Sequence, residues 1–279
     1  MAVLLALMSA LMYGISDFGA GVASRRSDAG VISPIMLTIG LACAGVAVAI
    51  DHGVGPRGGA LAWGAASGLG SGGGTLALYH GFAVGRITIV ATLSAVVSAV
   101  VPAIVGLSTG DTLNAVTLAG ILIAIPAIAL VSWHPDPEQR GEARSSLVYG
   151  LLAGLCFALL FIALDRAGTR SGAWPLIPGE IVGVLLLVPY GLHRYRKVGL
   201  PPRGDAPLVV AAGVLGAVAG LLFLLATGQG ELTIVAVVTA LYPSFTVILA
   251  RLLLAEHWTR SQGIGLAVAA AAIVLVSLG

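Results

Sequence analysis

Residues 226–277, ATGQGELTIVAVVTALYPSFTVILARLLLAEHWTRSQGIGLAVAAAAIVLVS, decide the fold. Moved back 145 positions without a gap, they lie on residues 81–132, and 14 of the 52 aligned residues are identical. The identities begin with Gly85/Gly230, Thr88/Thr233, Ile89/Ile234, Val90/Val235, Ala91/Ala236 and Ala95/Ala240. They continue through Leu107/Leu252 and Gly120/Gly265 to a cluster from Ala124/Ala269 to Ser132/Ser277. A shared apolar alphabet supplies some matches by chance. It does not supply the acidic residue between two apolar runs, Asp111 in one copy and Glu256 in the other. The chain reads as a duplication.

The composition sets the solvent. Hydrophobic residues make up 58% of the chain and charged residues 9%, with a mean hydropathy of +1.04. A soluble domain carries about a quarter of its residues as charges. Apolar runs of about twenty residues recur, the length that carries a helix across a hydrocarbon core of roughly 30 Å. The sequence therefore predicts an all-α integral membrane protein. The first run lacks a basic leader and is one of many like it, so it is not read as a cleaved signal. Charges scattered through connecting segments, summing to +2, give no footprint for nucleic acid. Cys43 and Cys156 stand alone inside apolar runs, without the spacing of a disulfide frame or a metal site. No cofactor is implied.

Polar and Gly/Pro-rich breaks cut the chain into ten spans, near 2–22, 31–50, 60–81, 87–107, 113–133, 146–165, 174–192, 208–227, 233–253 and 260–278. Backbone in lipid must satisfy its own hydrogen bonds, so these spans are transmembrane helices. The units are residues 1–133 and 146–279, each a five-helix repeat, joined by a linker at 134–145. An odd number of crossings turns the second copy over, giving two inverted five-helix repeats, a ground plan for alternating access. Nine basic residues follow odd-numbered spans and Arg251 and Arg260 flank the last of those connections, together eleven of the fourteen. The positive-inside rule then places those connections in the cytoplasm and both termini outside.

The chain resembles the drug/metabolite transporter superfamily, and within it the EamA-type carriers built of two five-helix repeats. The residues that carry the resemblance are Tyr13-Gly14-Ile15-Ser16-Asp17-Phe18, Ala240-Leu241-Tyr242-Pro243, Leu253-Leu254-Ala255-Glu256, and Gln262 with Gly265. Pro102, Gly110-Asp111 and Gly120 echo them in the first half. That half departs from the pattern by placing Ser98 where the second half has Pro243. The resemblance implies a secondary carrier exporting amino acids, other metabolites or drugs, similar to inner-membrane amino-acid exporters. It also implies a central cavity lined by spans 1, 3, 4, 6, 8 and 9.

Ionisable groups within membrane spans are costly and mark function by default. Asp17 and Glu180 are read either as carboxyl groups of the cavity, binding a substrate amine or carrying a proton, or as side chains reaching the interface. Asp111 and Glu256, with Pro243, are read as structural: an acid in a tight connection caps the next helix and complements its dipole. Tyr79 and His80 have no polar counterpart in the second half, where Leu224 and Leu225 stand, so this pair is the leading candidate for substrate specificity. Ser94 and Ser98, Tyr242 and Ser244, occupy corresponding regions of spans 4 and 9 and offer hydroxyls. Tyr13 and Phe157 align one residue off the 145 step and complete the candidate lining.

Glycines concentrate at 68–74, GLGSGGG. The run formally contains GxGxxG, but no strand precedes it, so it is not a dinucleotide site. Small-xxx-small pairs of this kind let helices approach closely, and Gly216 and Gly220 repeat the theme in span 8. No Walker motif is present and Lys197 is the sole lysine, which argues against an ATP-driven pump. Ser71 and His80, nine residues apart on one helix, lie roughly 13 Å apart along the axis and form no protease dyad. The expectation is a non-enzymatic, multi-pass carrier of the cell (inner) membrane for a small zwitterionic or amphiphilic metabolite, amino acids first among them, complete as a monomer. A drug carrier of the same superfamily and a passive channel are the alternatives.

Overall fold

The computed structural model describes residues 1–51, 55–84, 86–133, 143–254 and 259–278. The described chain is helical: α1 (Ala2–Ser24), α2 (Ala29–Ile50), α3 (Gly58–Val84), α4 (Ile87–Thr109), α5 (Ala115–Ser132), α6 (Ala143–Ala167), α7 (Leu176–Val198), α8 (Ala206–Thr227), α9 (Leu232–Thr239), α10 (Tyr242–Leu254) and α11 (Arg260–Leu278), with two short 3₁₀ turns. Among the described residues nine helical segments are long and apolar enough to cross a membrane, the pair α9–α10 counting as one. This is a multi-pass membrane protein. The glycine-rich α3 is 27 residues long but falls outside those nine, because glycine adds length without hydropathy.

The ninth span differs from expectation. In place of one helix over 233–253, α9 stops at Thr239 and α10 begins at Tyr242. Pro243 has no N–H for the Thr239 carbonyl, and its ring is tolerated in the first turn of a new helix. The chain tightens across the gap, where Leu241 N donates to Val238 O at 3.2 Å and Ser244 N to Leu241 O at 2.9 Å. Pro34, Pro102, Pro126 and Pro189 stand inside continuous helices, so Pro243 permits the break without dictating it.

Local chemistry sets the other ends. Asp28 caps α2 by accepting from Gly30 N at 2.9 Å, and Asn114 caps α5 by accepting from Thr117 N at 2.8 Å. Gly110 closes α4 at φ +118°, a conformation that favours glycine. The interior is built of small residues: Ala6, Ala10, Ala99, Ala127, Ala153 and Ala219 are wholly buried. Large apolar side chains such as Leu4, Ile50, Leu122, Leu185 and Leu252 face outward, as a hydrocarbon solvent allows.

The glycines of α3 serve two neighbours. Gly64, Gly68 and Gly72 lie on α7, and a Cβ on Gly72 would stand 3.2 Å from Gly183 Cα. Gly70 and Gly74 lie on α6, where a Cβ on Gly70 would stand 2.5 Å from Leu160 N. Residues four apart share a helix face, so one glycine-rich helix packs closely against two partners.

Candidate functional site

A cavity of about 280 Å³ lies among α1, α2, α3, α4, α6, α7, α8 and α10. Each long wall helix contributes one face at i, i+3, i+4 spacing. Helix α1 offers Tyr13, Ser16 and Asp17, α2 offers Ser33, Leu37 and Gly40, and α7 offers Leu176, Gly179 and Glu180. Helix α3 presents a stripe at four-residue spacing, Ser67, Ser71, Thr75 and Tyr79. Helix α6 adds Phe157, Leu160, Phe161 and Leu164, α8 adds Gly213, Gly216, Ala217 and Gly220, and single residues Ser98 and Tyr242 come from α4 and α10. No lysine, arginine or histidine is among this described lining.

Of the residues singled out in the sequence, Tyr13, Asp17, Tyr79, Ser98, Phe157, Glu180 and Tyr242 share this cavity. Asp17 stands seven residues before the end of α1, about 10 Å along the axis. Glu180 stands four residues into α7, about 6 Å from its start. Their helices run in parallel, so the two carboxyl groups enter the cavity from opposite ends. The Glu180 carboxyl group lies over Gly40, where a Cβ would come within 2.9 Å of it, and among the described residues its Oε2 has no hydrogen-bond partner. The rings of Tyr13 and Tyr242 stand 6.3 Å apart, and the Tyr79 hydroxyl is hydrogen-bonded to Ser33 Oγ.

His80, Ser94 and Ser244 lie elsewhere. One residue beyond Tyr79, His80 is turned about 100° around α3. It is exposed and packs on Tyr149, with ring centroids 4.8 Å apart. Ser94 is buried against α6, where a Cβ on Gly154 would come within 3.0 Å of its carbonyl oxygen. Ser244 is buried at the start of α10, outside the cavity lining. The sequence reading leaves α2 out of the walls and takes α7 only through Glu180, and so misses Ser33, Gly40 and Leu176. It also passed over Ser67, Ser71 and Thr75, whose four-residue spacing was legible but ran through the glycine pattern of the same helix.

Polar ties hold the connections at both ends of the bundle. At one end Arg194 on α7 donates to Asp28, with Nε 3.0 Å from Oδ2, and Arg26 pairs with Asp205 at 3.4 Å. The hydrogen bond from Arg194 holds the Asp28 carboxyl group below the usual carboxylate range, assisted by the Gly30 amide and against the cost of burial. At the other end Asp111 accepts from Thr233 N at 2.8 Å and Thr233 Oγ1 at 2.7 Å. Glu231 reciprocally accepts from Thr112 N at 2.9 Å. Asp111 thus caps α9, across the molecule, while Asn114 caps its own successor α5. Glu256 lies outside the described residues.

Residues 144–278 match the EamA-like transporter family model. The second half of the chain is therefore similar to EamA-like transporters. Over 122 residues the chain is 30% identical to the threonine/homoserine exporter RhtA of Escherichia coli strain K12, a stretch covering 42% of this chain and 41% of that protein. The same protein of Escherichia coli O157:H7 matches to the same extent. The match therefore spans about two fifths of the length of these curated relatives. A crystal structure of another protein, 16% identical, superposes with a TM-score of 0.76 over 99% of this chain and 96% of its own, so the two share a fold. The matched residues supply Phe157, Glu180 and Tyr242 to the cavity, and the preceding residues supply Tyr13, Asp17, Tyr79 and Ser98.

Proposed function

We propose that the protein is a secondary transporter of the cell (inner) membrane that exports small metabolites, amino acids in the first place, by alternating access through the central cavity. The observation that carries this reading is the cavity itself, whose described lining combines two carboxyl groups, three tyrosines and a row of hydroxyls deep within a membrane bundle. A substrate ammonium group meets Asp17 or Glu180, according to the end of the cavity it occupies, and cation–π attraction to the faces of Tyr13 and Tyr242 adds to charge. A substrate hydroxyl or carboxylate meets Ser67, Ser71 and Thr75. The activity of the 30% identical relatives, export of threonine and homoserine, agrees with a substrate of this size.

The packing supports an inverted pair of five-helix units, 1–133 and 146–279. Exchanging α1 with α6, α2 with α7, α3 with α8, and α4 with α9–α10 turns one set of helix contacts into the other. Thus α1 packs on α8 as α6 packs on α3, and α2 packs on α8 as α7 packs on α3. Likewise α1 packs on α9 and α10 as α6 packs on α4, while α5 meets α11 and α2 meets α7. Two related halves around one cavity supply two conformations that exchange its exposure. One chain then encloses the pathway as a monomer.

The test is counterflow. Purified protein in liposomes takes up labelled threonine, homoserine and a panel of further amino acids, with and without unlabelled amino acid inside. Saturable uptake stimulated from the trans side is the expected result. Uptake without trans-stimulation indicates a channel, and no uptake across the panel removes amino acids as the substrate class.

A further inference from the structure

Helix α7 has two opposite stripes. Gly179, Gly183, Leu187 and Gly191 are buried and form its inner face, where a Cβ on Gly191 would stand 2.6 Å from Pro34 Cγ of α2. Ile181, Leu185 and Leu192 form the outer face and are 41%, 66% and 54% exposed. Spacings of four and seven residues keep to one face of a helix, and four residues further on the same stripe reaches Arg196, which is exposed. Arg196 therefore stands about 6 Å beyond Leu192 along the axis. Lys197 is exposed beside it, and Arg203 is exposed in the connection to α8. No acid lies between Ile181 and Gly204. Asp28 and Asp205, which reach this end of the bundle, are engaged by Arg194 and Arg26. Among the described residues no carboxylate pairs with Arg196, Lys197 or Arg203. The 145-residue register places 193–197, HRYRK, on 48–52, VAIDH, which holds no lysine or arginine, so the frame itself does not require the basic end.

We propose that this end of α7 is a binding site for an anionic phospholipid, with its phosphate on Arg196, Lys197 and Arg203 and its acyl chains along Ile181, Leu185 and Leu192. The site lies apart from the central cavity, and the inference stands whatever substrate that cavity carries. Charge and depth together select the occupant. Basic residues at the end of a membrane helix attract anionic headgroups, and their aliphatic stems lie along apolar surface while the charged ends reach the headgroup layer. Tyr195, partly exposed at the same level, is of the amphipathic type that settles at this boundary. A zwitterionic headgroup brings an ammonium group for which the described patch has no carboxylate. A soluble anion uses the charges and leaves the apolar stripe unused. A molecule with a phosphate at one end and hydrocarbon at the other follows the stripe along its whole length. Arg194 is meanwhile committed to Asp28, the cap of α2, which anchors the helix end that carries the patch.

Native mass spectrometry of the purified, delipidated protein gives the Kd of the first bound dioleoyl phosphatidylglycerol and of the first bound dioleoyl phosphatidylcholine. Each basic side chain near the headgroup layer is worth about fivefold in affinity for an anionic lipid. The wild type is therefore expected to hold phosphatidylglycerol about tenfold or more tighter than phosphatidylcholine. Arg196→Gln with Lys197→Gln is expected to weaken phosphatidylglycerol roughly 25-fold and to leave phosphatidylcholine within about twofold. Both positions are exposed, so the unfolding temperature of this variant in lipid-free micelles stays at the wild-type value. The control is Arg57→Gln with Arg170→Gln, two exposed residues before α3 and α7 at the opposite end of the bundle, which keeps the wild-type preference. Glycerophosphoglycerol, the same headgroup without acyl chains, does not displace the bound lipid. A wild type without preference for phosphatidylglycerol gives the patch to a soluble acidic partner and overturns the proposal. An equal loss in the control pair, which marks diffuse charge attraction, or displacement by glycerophosphoglycerol, which marks a site for free phosphate esters, overturns it as well.

Discussion

Replacing Gly68 by alanine tests whether the α3–α7 seam is a contact of backbones. A Cβ at this position would overlap the Gly179 carbonyl oxygen and lie 2.8 Å from Val182 Cβ and 2.9 Å from Gly179 C. Carbon atoms rest at about 3.5–4.0 Å, so the helices must part by roughly 1 Å. Overpacking of this kind costs about 1–3 kcal/mol. Alanine recovers about 0.5–1 kcal/mol by its better helix propensity, which leaves a net loss of roughly 1–2 kcal/mol. The control lies five residues along the same helix. A Cβ on Gly73 meets Cys156 Sγ at 3.5 Å, an ordinary contact, so Gly73→Ala is expected to be neutral or stabilising by about 0.5 kcal/mol. Reversible unfolding of both variants, titrated with a denaturing detergent from lipid-containing micelles, gives the difference. Gly179 precedes Glu180 and both line the cavity, so Gly68→Ala also lowers transport. Equal stabilities for the two variants, or a more stable Gly68→Ala, would refute the packing argument.

Tyr79→Ala removes a cavity hydroxyl and its bond to Ser33 and is expected to lower transport about tenfold, the equivalent of roughly 1.4 kcal/mol. His80→Ala, on the far side of α3, stays within about twofold; equal losses in liposome uptake would bring His80 back to the pathway. Asp111→Ala deletes the cap of α9 and is expected to cost about 1–2 kcal/mol. A double-mutant cycle with Thr233→Val should return a coupling of about 1 kcal/mol, and strict additivity would deny the contact an energetic role. Asp28→Asn keeps a capping oxygen for Gly30 and loses the charge facing Arg194. Because the folded carboxyl group titrates below its unfolded value, its contribution is complete above about pH 3.9 and disappears as pH falls through the folded value. The stability gap between wild type and Asp28→Asn, followed by thermal unfolding, is therefore constant through neutral pH and closes only in strong acid; a gap that closes near pH 6 would exclude this origin.

The bundle was legible because the bilayer leaves the backbone few choices. Runs of apolar residues had to be helices, and the 145-residue register paired the segments that became α4 with α9–α10 and α5 with α11. The cavity was legible where a polar residue interrupted an apolar run, as at Asp17, Glu180 and Tyr242. It was hidden where the wall is made of residues that also serve as packing. Ser33 and Gly40 look like any small residues of a membrane helix, and their role depends on α2 and α7 meeting in space. The register of α3 held more information than adjacency did: Tyr79 belongs with Thr75 and Ser71, while His80, its neighbour in sequence, faces Tyr149. The partner of Asp111 was out of reach for a related reason. Local reasoning gives a cap to the nearest helix, but Asn114 fills that position and Asp111 crosses to Thr233.

The two halves differ most where their sequences part at Ser98 and Pro243. In α4 the helix continues through Ser98, and Val97 packs into α6, where a Cβ on Gly154 would stand 2.6 Å from Val97 Cβ. The register equivalent of Val97 is Tyr242, which starts a new helix and turns its ring toward Tyr13 and the cavity. Glycine keeps both crossings close: Gly154 beneath α4, and Gly14 beneath α10, where Thr246 Oγ1 donates to Gly14 O at 3.1 Å. The scaffold contact is thus preserved while the side chain at the equivalent position changes from an apolar packing residue to a cavity-facing phenol. The same holds for Tyr79, whose register equivalent Leu224 is wholly buried in the core. In the two-repeat frame proposed above, a substrate distinguishes two similar walls only through positions such as these, where one half faces the cavity with a polar group and the other packs inside the protein.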